Sequence, residues 1–261
     1  MLVLIPVYPG QEIQMQNPNE PSTPSKSEIS PETRRAIVKW IVQSALGLPA
    51  YGLLLFLVAG RLDWVWGWAL LIVLAAFLAA HPLILIPINP ALLAEREKGL
   101  GDKAVKAWDR WIAGLAAGLF PMASWVVAGL DVRLGWTEPL PLAYHVGGLL
   151  VMVLGFALFL WAMASNAFFA EGVRIQKERG HTVATSGPYR YVRHPGYTGA
   201  ILSQMATPLL LGSPWAVIPT VASAALYVVR TYLEDRTLTR ELPGYEVYAQ
   251  QTRYRLLPGV W

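Results

Sequence analysis

The chain has 261 residues, 54% hydrophobic and 15% charged, with a mean hydropathy of +0.40. A soluble globular domain carries about 25% charged residues, so composition excludes an ordinary soluble domain and indicates an integral membrane protein. Cysteine is absent, which excludes disulfides, thiolate metal sites and a catalytic cysteine.

Residues 1–33 read as a cytoplasmic N-terminal tail. Pro6, Pro9, Pro18, Pro21 and Pro24 interrupt it, and no helical period is sustained, so disorder is expected. Met1–Val7 is apolar but lacks a basic flank and is too short for a secretory signal. Residues 34–142 then form an N-terminal three-span region, and 143–261 a core with a loop at 171–199 and a C-terminal cytoplasmic helix.

A helical span needs about 20 apolar residues. Ala36–Gly60, Trp64–Ile88, Trp111–Leu130 and Ala143–Ala170 meet that length without an internal Asp, Glu or Arg. Lys39, near the start of the first, is placed to snorkel to the interface. Two shorter apolar runs, Tyr197–Leu211 and Trp215–Val229, flank Gly212-Ser213-Pro214 and read as a tight helical hairpin. The expectation is an all-α integral membrane protein with six spans, the last two a hairpin.

The basic residues agree with that count. With the N-terminus in the cytoplasm, all but Arg61 and Arg133 of the 21 Lys and Arg fall on the cytoplasmic side, as the positive-inside rule requires. Both termini are therefore expected in the cytoplasm, in a prokaryotic inner membrane. Trp64, Trp66, Trp68, Trp136 and Trp215 fall at outer span ends and Trp40, Trp108 and Trp111 at inner ends, matching an aromatic belt; ordinary helix packing explains some of them equally well.

Polar sequence collects on the cytoplasmic side, in 89–110, 171–196 and 230–261. The spans carry no buried charge of the kind that marks an ion path, which disfavours a channel or pump and favours a site at the cytoplasmic face. Within 171–199, Gly187-Pro188 and His194-Pro195-Gly196 are turn signals that fold the segment back on itself. Such a loop can wrap a small ligand, or serve as a linker anchored by Tyr189, Tyr191 and Tyr197. Arg230 and Glu234 share a helical face at i,i+4. As an exposed pair they would be worth little, but they emerge at the depth to which the loop returns. His181 and His194 lack a third metal ligand, and His81 and His145 read as hydrogen-bonded packing residues. Asn166 sits near the inner end of the fourth span, equally suited to the site or to packing. There is no HExxH, P-loop, GxSxG or GxGxxG after a strand, and no basic patch for nucleic acid.

Five elements then follow in order: His181-Thr-Val-Ala-Thr-Ser-Gly-Pro-Tyr189, Arg193-His-Pro-Gly-Tyr197-Thr-Gly199, Arg230-x-x-x-Glu234, Pro243-Gly-Tyr-x-x-Tyr248 and Arg253-x-Arg255-x-x-Pro258. Together they resemble the isoprenylcysteine carboxyl methyltransferase family, in the wider group with the phospholipid N-methyltransferases. The resemblance covers about 160–261. It implies a membrane enzyme using S-adenosylmethionine, with no metal, on a lipophilic or membrane-embedded acceptor. By the same resemblance Gln176, His181, Thr182, Val183, Ala184, Tyr189, His194, Pro195, Gly196 and Tyr197 would contact the cofactor. Glu234 would bind it too, and Arg230 would face the acceptor, making these two the catalytic pair. Transfer of a sulfonium methyl is an in-line displacement that needs no enzyme nucleophile. A pre-ionised acceptor needs only positioning and exclusion of water, and the planar Arg230 fork suits a carboxylate. O-methylation of a carboxylate therefore leads, ahead of N-methylation of a lipid amine, S-methylation of a small thiol, or a non-catalytic binding or sensor role.

Overall fold

The computed structural model describes residues 29–261; the N-terminal tail expected at 1–33 lies almost wholly outside the described residues. Among the described residues all regular structure is helical. Helix α1 (Pro31–Ala59) starts where Ser30 accepts from the Thr33 N–H and Pro31 occupies the first turn, and it stops at Gly60 in the left-handed region, φ 69°. Pro at the first helical turn and a left-handed Gly just past the end are the expected boundary devices. Helix α2 (Val65–Ile88) is apolar on all sides and ends before Asn89, whose side chain accepts from the Leu92 N–H and so caps α3 (Pro90–Glu97).

The third apolar run is one continuous rod in three pieces. These are α4 (Ala107–Ala113), a π-helical stretch Gly114–Leu119, and α5 (Phe120–Leu134). Helix α6 (Leu142–Ala164) follows. It ends short of the expected Ala170 because Asn166 turns the chain, its side-chain oxygen accepting the Phe168 N–H at 2.9 Å. Such local side-chain bonds compete with the helical ladder.

After the loop come α7 (Pro195–Met205) and α8 (Thr207–Leu211), then α9 (Val217–Glu241) and the short α10 (Tyr245–Gln251). Among the described residues, five helices are long and apolar enough to cross a bilayer: Pro31–Ala59, Val65–Ile88, Ala107–Leu134, Leu142–Ala164 and Pro214–Glu241. The chain is thus built as a multi-pass membrane protein. The remaining expected span, Tyr197–Leu211, is an 11-residue and a 5-residue helix separated by Ala206. Pro208 accounts for the break, since it has no N–H to continue the ladder.

The short pair nevertheless runs the length of α6, antiparallel to it. A Cβ on Gly155 would lie 2.6 Å from the Ser203 amide nitrogen, and one on Gly199 would lie 2.5 Å from the Gly155 carbonyl oxygen. Near the other end of α6, His145 Nδ1 is 2.8 Å from the Leu210 carbonyl oxygen, and its ring stacks on Trp66 at 4.3 Å. Lipid tails offer helices little hydrophobic drive to associate, so close backbone approach at small residues carries this packing. His81, likewise, bonds the Phe77 carbonyl at 2.8 Å. Both histidines are packing residues, as the sequence suggests.

Gly155→Val should therefore lower the unfolding midpoint in detergent steeply, by overpacking worth about 1–3 kcal/mol or more. The neighbouring Gly147→Val, where an added Cβ meets nothing within 4 Å, should leave it unchanged. Equal midpoints for the two variants would refute the close α6–α7 contact.

Candidate functional site

The connection from α6 to α7 is held by long-range bonds, not by regular structure. The Tyr248 hydroxyl donates to the Tyr189 carbonyl at 2.7 Å, and the Thr198 hydroxyl donates to the Leu256 carbonyl at 2.9 Å. The Arg193 and His194 amides donate to the carbonyls of Tyr254 and Arg255, each at 2.9 Å. The C-terminal segment thus wraps the returning loop. Asp235 is the hub of this wrap: it accepts from the Tyr245 hydroxyl and from Arg255 Nε, both at 2.9 Å. It also lies 3.2 Å from Arg193 Nε and 3.3 Å from His194 Nε2.

Beneath this wrap lies a cavity of about 460 Å³, within the range of small-molecule sites. Its wall includes His181, Thr182, Val183, Ala184, Tyr189, His194, Gly196, Tyr197, Arg230 and Glu234. Ten of the expected site residues, from three separate sequence elements, thereby share one space. Gly196 is a close-approach position: a Cβ there would sit 2.6 Å from the Phe169 ring.

Two expected residues do not line the cavity. Gln176 is fully buried inside the loop, its amide donating to the Phe168 carbonyl at 2.8 Å and its oxygen accepting from Arg179 at 2.5 Å. With its side-chain polar atoms bonded to Phe168 and Arg179, it braces the loop backbone. Pro195 is buried at the first turn of α7, where its lack of an N–H costs nothing.

Arg230 and Glu234 share the cavity but not each other. Arg230 is 5% exposed, and its Nε and Nη2 donate to the two oxygens of Asp109 at 2.6 and 2.9 Å. Nη2 also donates to the Glu171 carbonyl at 2.6 Å. This is a buried bidentate fork, not the exposed i,i+4 pair that spacing alone allows. Glu234 instead accepts from the Tyr197 hydroxyl, and the Tyr197 ring lies 4.9 Å from the Arg230 guanidinium, a cation–π distance. Asp109 has no exposed surface, and it also accepts the Val173 N–H at 2.7 Å. It ties α4, the loop and α9 together.

His181 packs on Phe168 at 4.5 Å and accepts the Gln176 N–H through Nδ1. Burial, helped by Arg174 and Arg179, pushes its pKa down to about 4, so the ring is neutral at physiological pH with its proton on Nε2. Burial raises the Tyr248 phenol to about 12, so it too stays uncharged. Asn166 donates to the Tyr189 hydroxyl at 3.2 Å and lines the cavity. Among the described residues no three His, Asp or Glu converge as a metal-ligand set.

Sequence reasoning missed Asp109, Arg96 and Asp235. The signal for Arg96 is its place four residues after Leu92 in α3, which puts it on that helix's buried face with Leu92 and Leu93. Asp109 is the acid next to the start of an apolar run in an otherwise basic connection. Its partner, 121 positions away, leaves no local trace.

The motif-bearing part of this architecture has known counterparts. Residues 148–240 match the model of the isoprenylcysteine carboxyl methyltransferase family. This part of the chain is similar to that family. A human protein-S-isoprenylcysteine O-methyltransferase is 32% identical over 132 residues, 50% of this chain and 44% of the human one. A probable protein-S-isoprenylcysteine O-methyltransferase of Oryza sativa subsp. indica is 27% identical over 107 residues, 40% of this chain and 56% of its own. Protein-S-isoprenylcysteine O-methyltransferase B of Arabidopsis thaliana is 31% identical over 105 residues, 40% of this chain and 48% of its own. The chain thus spans about half the length of these relatives. All three are eukaryotic and do not bear on the prokaryotic setting expected from the sequence. The methyltransferase-family match begins inside α6, so α1 to α5, including Arg96 and Asp109, lie outside it.

Proposed function

We propose that the protein is an S-adenosylmethionine-dependent membrane methyltransferase that O-methylates a carboxylate on a lipophilic acceptor, working at the cytoplasmic face of the bilayer. The observation that carries this reading is the single cavity into which the His181–Ala184, Tyr189, His194–Tyr197 and Arg230–Glu234 elements converge, in a chain of which residues 148–240 match the methyltransferase-family model.

The lining suits the cofactor's chemistry. Glu234 is a carboxylate at the cavity wall whose hydrogen-bond partner is the Tyr197 hydroxyl, leaving acceptor capacity for a cationic ammonium or sulfonium centre. Tyr189 and Tyr197 add aromatic surface, which attracts cations and stacks on planar rings. His181–Ala184, Tyr189, His194, Gly196, Tyr197 and Glu234 would hold the cofactor. When bound, S-adenosylmethionine supplies an electrophilic methyl group.

The remaining work belongs to the chain. Arg230, fixed by Asp109, keeps a permanent guanidinium in the cavity wall, which suits a carboxylate better than a protonated amine. This favours O-methylation over N-methylation of a lipid amine. The relatives' names specify an S-isoprenylcysteine acceptor, a lipophilic carboxylate of the kind the cavity's apolar wall of Tyr51, Ala113, Ala117 and Phe159 could accommodate. The wrap through Asp235 holds the loop at the site, where exclusion of water would favour the transfer. A neutral His181 adds no competing positive charge next to the cofactor.

The test is titration of the purified protein with S-adenosylhomocysteine, followed by incubation with radiolabelled S-adenosylmethionine and lipophilic acids. The acids are an S-prenylated cysteine and palmitic acid. Saturable binding and base-labile label in an acid are expected. Absence of binding would overturn the cofactor assignment, and label appearing only in phosphatidylethanolamine would overturn the acceptor class.

A further inference from the structure

The cavity holds a second arginine that the motif elements do not include. Arg96, on α3, is 9% exposed and lines the same space as Arg230, but the two are satisfied to different degrees. Arg230 donates at 2.6–2.9 Å to Asp109 and the Glu171 carbonyl. Among the described residues, Arg96 Nε has no hydrogen-bond partner. Its Nη1 is 3.5 Å from the Phe169 carbonyl, and its Nη2 is 3.4 Å from the Glu171 carboxylate. Both contacts are at the limit of useful hydrogen bonding, and the Glu171 side chain is 35% exposed, so its charge is partly screened. The Arg96 guanidinium lies 5.7 and 6.0 Å from the rings of Phe169 and Phe159.

A buried cation is costly unless paired and hydrogen-bonded. Burial works against the charged form of Arg96, Glu171 supports it and the nearby Arg230 opposes it. The protein therefore holds a planar cation inside a cavity, braced by two aromatic rings, with donors to spare and no full-strength carboxylate partner. That arrangement is complementary to an anion with two oxygens.

We propose that Arg96 is an acceptor-binding residue whose guanidinium takes the carboxylate of the lipophilic acceptor; this role rests on the methyltransferase reading above. Its position favours the acceptor over the cofactor as the source of that carboxylate. Phe159, beside Arg96, packs against the cluster of Trp40, Leu85, Leu92 and Met163 from the apolar helices, and Phe169 bridges that cluster and the one around Tyr245. The expected cofactor residues Tyr189, Val183 and Ala184 belong instead to the cluster of Leu242, Tyr245 and Tyr248. Arg96 thus stands on the apolar side of the cavity, where a lipophilic chain would end in its charged group. The interaction also has a direction in the reaction. A carboxylate is anionic and its methyl ester is neutral, so Arg96 binds reactant more tightly than product. Because the charge fades as the ester forms, the contact lowers KM without raising kcat.

The experiment measures affinity of the detergent-solubilised protein for an S-prenylated cysteine and for its methyl ester, with and without S-adenosylhomocysteine. The wild-type protein should prefer the acid by about tenfold or more, the worth of a charge-assisted hydrogen bond. Arg96→Gln should bind acid and ester alike, keep S-adenosylhomocysteine affinity, and raise KM by about tenfold with kcat nearly unchanged. Arg96→Lys, which keeps the charge and loses the fork, should show an intermediate preference and decides the matter if the glutamine variant does not fold. An undiminished acid preference in both variants would overturn the proposal. So would lost S-adenosylhomocysteine affinity with the acid preference intact, which would assign Arg96 to the cofactor's own carboxylate. If the wild-type protein binds no S-adenosylhomocysteine, the methyltransferase reading fails by itself, and the acid-over-ester preference measured without it still decides Arg96.

Discussion

Asp109→Ala should cost about 3–5 kcal/mol of stability, the effect of breaking a buried ion pair from one side. The substitution leaves the Arg230 guanidinium, 5% exposed, without the fork that receives its Nε and Nη2. It also strips the Val173 N–H of its acceptor. Chemical unfolding in detergent micelles measures the loss. The double variant Asp109→Leu/Arg230→Met should recover most of it, because two well-packed apolar groups replace a pair whose desolvation nearly offsets its attraction. A loss below about 1 kcal/mol in the single variant would mean that Asp109 and Arg230 do not form a dry pair. For the same reason Arg230→Ala is an unclean probe of catalysis: it strands Asp109 and perturbs folding along with the site. Arg230→Lys keeps the charge beside Asp109 and is the better variant.

Glu234→Gln should reduce methyl transfer by about 100-fold and weaken S-adenosylhomocysteine binding by about tenfold, as expected for losing a charge-assisted contact to a cationic group. The fold should survive, since a glutamine oxygen still accepts from the Tyr197 hydroxyl that Glu234 now engages. Single-turnover assays paired with calorimetry separate the two effects. Unchanged affinity and rate would remove Glu234 from the site. The comparison with Arg96→Gln is informative, because the two variants should move different constants: cofactor affinity for Glu234 and acceptor KM for Arg96.

The spans were legible because a bilayer imposes a local requirement, about 20 apolar residues in a row, and α1, α2 and α6 start within five residues of the expected positions. The loop was legible through its turn residues. Gly187-Pro188 and His194-Pro195-Gly196 fold the chain back, and His181–Ala184, Tyr189 and Tyr197 reach one cavity with Arg230 and Glu234. Three features were not legible, each for a physical reason. Asn166 ends α6 early by a side-chain bond that hydropathy does not register. Gln176 spends its amide on Phe168 and Arg179, a choice set by how the loop folds. The i,i+4 spacing of Arg230 and Glu234 implies a pair, yet each takes a more distant partner, Asp109 and Tyr197.

Composition and the long apolar runs by themselves determined a multi-pass membrane protein, and the ordered motifs determined a resemblance to the family whose model matches residues 148–240. Only the tertiary structure decided what the few charges do. Hydropathy and motif spacing act along the chain, whereas burial and pairing of charge depend on groups brought together across it. Asp109 meets Arg230 across 121 positions, and Arg96 meets Glu171 across 75. The first pair is complete and holds the site together, and the second is incomplete and leaves a cation facing the cavity.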